Sequence, residues 1–167
     1  MADLSVRPAA PADAEAVARV QLATWRAAYA DVLPPEALEL DAGAVAAAWE
    51  QAVTSPPSPR HRLLVAVDGG EVVGLAASEP DEEGGELTEL LVEPRWGRRG
   101  HGSRLLAATV DLWREDGVER AVTWVFEQDA VLAGFLESAG WGPETVGRTA
   151  VVGSRTVRQR RWHTALG

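Results

Sequence analysis

The sequence predicts an α/β fold in which strands and helices alternate along one chain. Three observations carry that expectation. From Glu86 to Trp113 an apolar run, a proline and a glycine-rich turn lead into residues spaced along one helical face. The turn residues Asp68-Gly69-Gly70 and Gly153-Ser154 each separate two runs of strand length. Elsewhere apolar residues recur at three- and four-residue intervals, which brings the expected total to about seven strands and about four helices. A length of 167 residues suits one domain, 1–167, with a single sizeable core.

Taken in order, Leu4 to Arg7 reads as a short first strand that Pro8 ends. Pro11 suits the first turn of a helix, and Asp13 complements its dipole. Ala14, Val17, Ala18, Leu22, Trp25 and Tyr29 then line one face to about residue 29. Pro34 and Pro35 break the chain, and an Ala-rich helix follows from about Ala44 to Val53. Ser55 to Pro59 is a stiff loop. Arg62 to Val67 and Glu71 to Ala77 form a hairpin, and Pro80 to Gly85 turns into a strand from Leu87 to Val92. After a helix over 101–115, Gly117 marks its end and Ala121 to Phe126 is a strand. Asp129 to Ser138 is a short helix. Thr145 to Val152 and Arg155 to Trp162 are the last strands.

Composition narrows the function. With 46% hydrophobic and 25% charged residues the chain resembles an ordinary soluble protein, and a cytoplasmic location is the default. No run reaches the ~18–20 apolar residues of a membrane span, and the first ten residues lack a signal-peptide core. The absence of cysteine excludes disulfides, thiolate catalysis and cysteine zinc sites. A net charge of −9 argues against nucleic-acid or anionic-membrane partners and suits a cationic substrate, although it also serves solubility alone. The acidic turn PDEEGG has a spacing that suits no defined metal cage, so no metal is expected.

The segment Arg95-Trp-Gly-Arg-Arg-Gly-His-Gly-Ser103 carries the chemistry. A strand running through glycines into a helix is an anion cradle, because the first helical amides lack internal partners and the dipole adds positive charge. Arg98 and Arg99 add fixed charge. A P-loop requires lysine, and the chain has none. The dinucleotide fingerprint fails because Leu105 stands where its third glycine belongs.

What remains, Gly97-Arg98-Arg99-Gly100-His101-Gly102 after a strand ending Leu91-Val92-Glu93-Pro94, resembles the acetyl-CoA loop of the GNAT N-acetyltransferase superfamily, [QR]-x-x-G-x-[GA]. Gly97 replaces the usual Gln or Arg. The opening strand, Arg-Pro-Ala and Asp-initiated helix are similar to a common GNAT beginning, and Trp25-Arg26-x-x-Tyr29-x-x-x-Leu33-Pro34 resembles a pattern in a subset of the family. Asp129, Leu132, Phe135, Leu136, Gly140 and Trp141 fall on the family's Asn-x-x-Ala-x-x-Phe-Tyr-x-x-x-Gly-Phe segment. The resemblance spans essentially the whole chain, with its strong motifs in the middle third.

The resemblance implies a mixed, mostly antiparallel central sheet flanked by helices, and direct transfer of acetyl from acetyl-CoA to a primary amine of a small molecule or peptide. No covalent enzyme intermediate is needed. It implies that the amides of Arg98, Arg99, Gly100, His101, Gly102 and Ser103 hold the pyrophosphate. Exposed backbone of Leu91 and Val92 would hold the pantetheine, an amide near Val92 would polarise the thioester carbonyl, and Asp129 would contribute a cofactor contact. Glu86 and Glu89 are the candidate bases. Strand alternation puts them on opposite faces unless a bulge intervenes, and apolar neighbours would raise the pKa of either. Trp25 and Tyr29 read as core aromatics at i and i+4 or, by the resemblance, as the border of the acceptor site. The family's usual acid, a tyrosine, is here Leu136. That gap, with Gly97, favours one rival, a CoA-binding module without catalysis; a second rival keeps the enzyme and makes the acceptor a protein N-terminus. By family habit the C-terminal strands would pair two copies into a homodimer.

Overall fold

The computed structural model describes residues 4–167. Its strands are β1 (Leu4–Pro8), β2 (Arg62–Asp68), β3 (Glu71–Asp81), β4 (Gly84–Val92), β5 (Arg120–Phe126), β6 (Gly142–Val152) and β7 (Arg155–Ala165). The helices are α1 (Ala14–Ala28), α2 (Pro35–Leu38), α3 (Ala42–Thr54), α4 (His101–Glu115) and α5 (Ala130–Ser138). The seven strands form one sheet in the order β1-β2-β3-β4-β5-β7-β6. Every neighbouring pair is antiparallel except β4 and β5. The mixed, mostly antiparallel sheet of the sequence reading is therefore present, with one helix more. That helix, α2, starts at Pro35, where a missing amide hydrogen costs nothing at the first helical position; the double proline starts an element there as well as ending one.

The sheet is buried on both faces at its centre, so β2 and β3 are nearly continuous apolar runs. On one face Leu64, Ala66, Val73, Leu87, Ala121, Val125 and Trp162 pack against Leu105, Leu106 and Trp113 of α4 and Leu136 of α5. On the other, Val65, Val67, Val72, Leu75 and Leu91 pack against Val17 and Val20 of α1. A third cluster joins Tyr29, Leu33 and Ala37 to Val157 of β7. Gly74 lets α4 seat closely: a Cβ there would lie 2.9 Å from the Leu91 carbonyl and 3.2 Å from Leu105 Cδ1. Gly85 does the same for the far end of α4, where the Trp113 indole lies flush against the β4 backbone and leaves no room for a side chain.

Two features of β4 place the site. Its ladder with β5 covers only Gly85–Leu87 against Ala121–Thr123, so the two strands part beyond that point and leave a seam. Within β4, Leu87 pairs with Ser78 and Glu89 with Ala77, which leaves Thr88 as an extra, bulged residue. The Thr88 hydroxyl donates to the Ala77 carbonyl at 3.1 Å, and that of Thr123 to the Leu87 carbonyl at 2.7 Å. Side-chain hydroxyls thus satisfy backbone acceptors where the regular ladder is interrupted.

Candidate functional site

The bulge decides where the two carboxylates point. Leu87 and Leu90 both pack with α4, three residues apart instead of two or four, while Leu91 packs with α1. Glu86, next to Leu87, and Glu89, next to Leu90, therefore share the face that carries α1. The expectation of opposite faces fails for the reason it anticipated, a bulge between them. Glu89 is partly buried and accepts no hydrogen bond from the described residues; desolvation alone pushes its carboxyl up to about 7. Glu86 is also raised, first by burial and then by the charges of Glu79 and Asp81, with Arg148 opposing them.

The backbone of the seam follows from the ladder. The Glu93 amide donates to the Val73 carbonyl at 2.9 Å, which makes Leu91–Leu75 a hydrogen-bonded pair and turns both polar groups of Leu91 toward β3. By the same alternation the amides and carbonyls of Leu90 and Val92 face the seam. Val92 is where the sequence reading put a seam-facing donor; Leu91 is not, and its side chain is buried under α1.

At the mouth of the seam, Arg98 (φ 64°) and Gly100 (φ 79°) take left-handed backbone, and Gly100 is the N-cap of α4. Left-handed residues alternating with ordinary ones turn successive amides to one side, a nest for an anion. No side chain caps α4, and among the described residues no acceptor meets the amides of Arg98, Arg99, Gly100, His101, Gly102 or Ser103. These donors fit a pyrophosphate.

The His101 side chain plays no part in the loop surface. It is 1% accessible and turned away from that surface. Nε2 lies 3.0 Å from Asp68 Oδ2, and Nδ1 lies 3.0 Å from Arg104 Nη2. A guanidinium only donates, so Nδ1 accepts and the proton sits on Nε2, pointing at Asp68. Arg104 also donates to the Arg99 carbonyl at 2.9 Å, and Arg99 Nη1 approaches Asp68 at 3.4 Å. The loop is thus tied to the β2–β3 hairpin through a buried carboxylate. Sequence reading missed Asp68, treating it as a turn former. The signal for His101 was available: it stands four residues before Leu105, on the buried face of α4.

Asp129 caps α5 by accepting from the Leu132 amide at 3.0 Å, and its other oxygen accepts from the Tyr29 hydroxyl at 2.7 Å. Burial first, then that bond and the charges of Asp129 and Glu89, hold the Tyr29 hydroxyl far above its usual range, so it stays protonated. Tyr29 also meets Phe126 edge to face at 4.9 Å. Trp25 is partly buried between the α1 and Tyr29 clusters. Both aromatics are packed into the core, as their i, i+4 spacing suggests. Leu136 is fully buried under α4.

The sequence model of the acetyltransferase (GNAT) family matches residues 20–141. No curated protein sequence matches significantly. Among solved structures, the PaiA N-acetyltransferase of Thermoplasma acidophilum in complex with coenzyme A superposes with a TM-score of 0.81 at 17% identity, covering 98% of this chain and 99% of that one. YncA of Salmonella typhimurium, solved with its cofactor acetyl-CoA, gives 0.75 at 20% identity over 99% and 95%. The ribosomal-protein-S18-alanine N-acetyltransferase of Escherichia coli gives 0.70 at 16% identity over 99% and 95%. At such identities the likeness is one of fold.

Proposed function

The chain belongs to the acetyltransferase (GNAT) family, and from that premise we propose that it transfers acetyl from acetyl-CoA to a primary amine. The observation that carries this reading is the seam: a parallel pair that parts after three residues, with free amides at its mouth and two raised carboxylates beside it.

When bound, acetyl-CoA supplies a thioester whose carbonyl carbon bonds to the amine nitrogen as the C–S bond breaks, while the ammonium's two surplus protons leave, one to a base and one to sulfur. The amides from Arg98 to Ser103 hold the pyrophosphate. The seam-facing groups of Leu90 and Val92 bind the extended arm as an added strand, and the Val92 amide is placed to donate to the thioester oxygen. Glu89 takes the ammonium proton, since a carboxylate near 7 is half ionised at neutral pH and binds a proton strongly enough to remove one. Glu86, on the same face, keeps the acceptor's cationic end close. No side-chain acid is required if the second proton passes from nitrogen to sulfur through water, which suits Leu136 in the core and a Tyr29 hydroxyl already bonded to Asp129. Calorimetric titration with acetyl-CoA tests the reading: micromolar binding supports it, and no binding at millimolar ligand removes it.

A further inference from the structure

The α1-side face of the sheet has an open half. α1 lies over β3 and β4, and beyond them β5, β7 and β6 present a row of side chains whose common face follows from register. Glu86 pairs with Val122, Trp124 with Arg161, and Gln159 with both Phe126 and Arg148. Phe126 contacts Tyr29, which fixes the row on the α1 side.

Arg148 is the unusual member. It rises from β6, the outer strand, and its Nε donates to Gln159 Oε1 at 2.7 Å on β7. Its guanidinium then lies 4.2 Å over the ring of Trp124, a β5 residue, so the side chain leans inward across β7 to meet the indole. Arg120 and Arg161 on the same part of the sheet are neutralised by Glu83 and Glu144 at 3.0–3.6 Å. No described carboxylate lies within ion-pair distance of Arg148. One hydrogen bond through Nε leaves both terminal nitrogens free, in the planar fork that matches a carboxylate. Stacking on Trp124 fixes the fork before any ligand arrives, which lowers the entropy cost of binding.

We propose that the acceptor is a small amine that also carries a carboxylate, held by Arg148 on Trp124 with its ammonium toward Glu86 and Glu89; this rests on the acetyl-transfer reading above. Smallness follows from the strap that covers one end of this face. The segment after α1 is strapped to the β6–β7 turn: Arg155 donates to the Asp31 carbonyl at 3.0 Å, and the Ser154 amide to Glu36 at 2.6 Å. Leu33 and Ala37 pack on Val157, Ala150 and Val152 beneath them. A polypeptide running across the site would meet this strap.

The experiment measures thiol release by the full chain with acetyl-CoA and a panel of free α- and ω-amino acids, their primary amides, and tripeptides opening with the best acid. At least one free acid is expected to exceed its amide in kcat/KM by about tenfold or more. Arg148→Gln should lower that value about 10- to 100-fold, toward that of the amide, and Arg148→Lys should lose less. A matching acetyl-CoA titration checks that the variants are folded. A preference for amides or tripeptides in the native chain overturns the inference, as does an acid-to-amide ratio that Arg148→Gln leaves unmoved. Turnover of no amino acid while acetyl-CoA binds also overturns it and leaves the cofactor reading standing; failure to bind acetyl-CoA removes both.

Discussion

Glu89→Gln is the substitution that separates a working base from a buried bystander, because two independent measurements must respond. The Glu89 carboxyl moves from 4.5 to about 7 through desolvation alone. Each unit is worth about 1.4 kcal/mol, so the fully ionised side chain costs the fold about 3 kcal/mol. The sign follows from proton linkage. Below about 4.5 both folded and unfolded chains hold the proton and the cost is nil. It grows as pH rises toward 7, where the unfolded chain has already released the proton, and is constant above. Between about pH 5.5 and about pH 8.5 the native chain therefore loses about 2 kcal/mol that the Glu89→Gln variant keeps, whatever the fixed cost of the amide. For a chain of this size that shifts the melting-temperature difference by roughly 4–8 °C, with the variant gaining on the native protein at high pH. Activity moves the other way. The native kcat/KM for the amine should rise with pH through about 7, and Glu89→Gln should lose that inflection and about 10²- to 10⁴-fold in rate. A melting-temperature difference that stays constant with pH would refute the reasoning, since no charge would then be buried at Glu89.

Three further outcomes are expected. Gly100→Asp puts a Cβ 3.1 Å from Arg104 Nη1 on left-handed backbone and a negative charge among the loop amides; acetyl-CoA affinity should fall by about 100-fold or more in titration calorimetry, and unchanged affinity would mean the loop is not the anion site. His101→Leu leaves Asp68 buried with only the distant Arg99 guanidinium, costing about 2 kcal/mol or more in urea unfolding, and Asp68→Asn in the same chain should recover part of that loss. Deleting Thr88 removes the bulge and returns β4 to plain alternation, so Glu86 and Glu89 can no longer share a face. Turnover should vanish, whereas Thr88→Val, which keeps the extra residue, should retain most of it; equal activity in the two would deny the bulge its role.

The fold was readable where one signal dominates. Leu105, Leu106, Thr109, Leu112 and Trp113 gave the bounds of α4 directly, because Gly100 caps one end and Gly117 follows the other. β4 and β6 begin earlier than expected, at Gly84 and Gly142, since ladder partners hold glycine and proline that propensity would exclude. The loop was legible as backbone chemistry, which sequence encodes through glycine spacing. The role of Asp68 was not, because Asp-Gly-Gly is a complete explanation locally and the partner, His101, lies far along the chain. Arg148 was illegible for the same reason: only strand order brings β6 within reach of Trp124.

The interruption of β4 ties these features together. The parallel ladder ends at Leu87 and the bulge falls on the next residue, Thr88. Were β4 regular, Leu90 would turn toward α1, Leu91 toward α4, and the seam-facing backbone would belong to the wrong residues. One inserted residue thus sets three things at once: which amides meet the seam, that Glu89 joins Glu86, and that β5 is free to diverge. The Thr88 and Thr123 hydroxyls, each satisfying a backbone acceptor at that point, keep the break from leaving unpaired carbonyls in the core. The site is therefore built on a defect in the sheet, and its geometry is as stable as that defect.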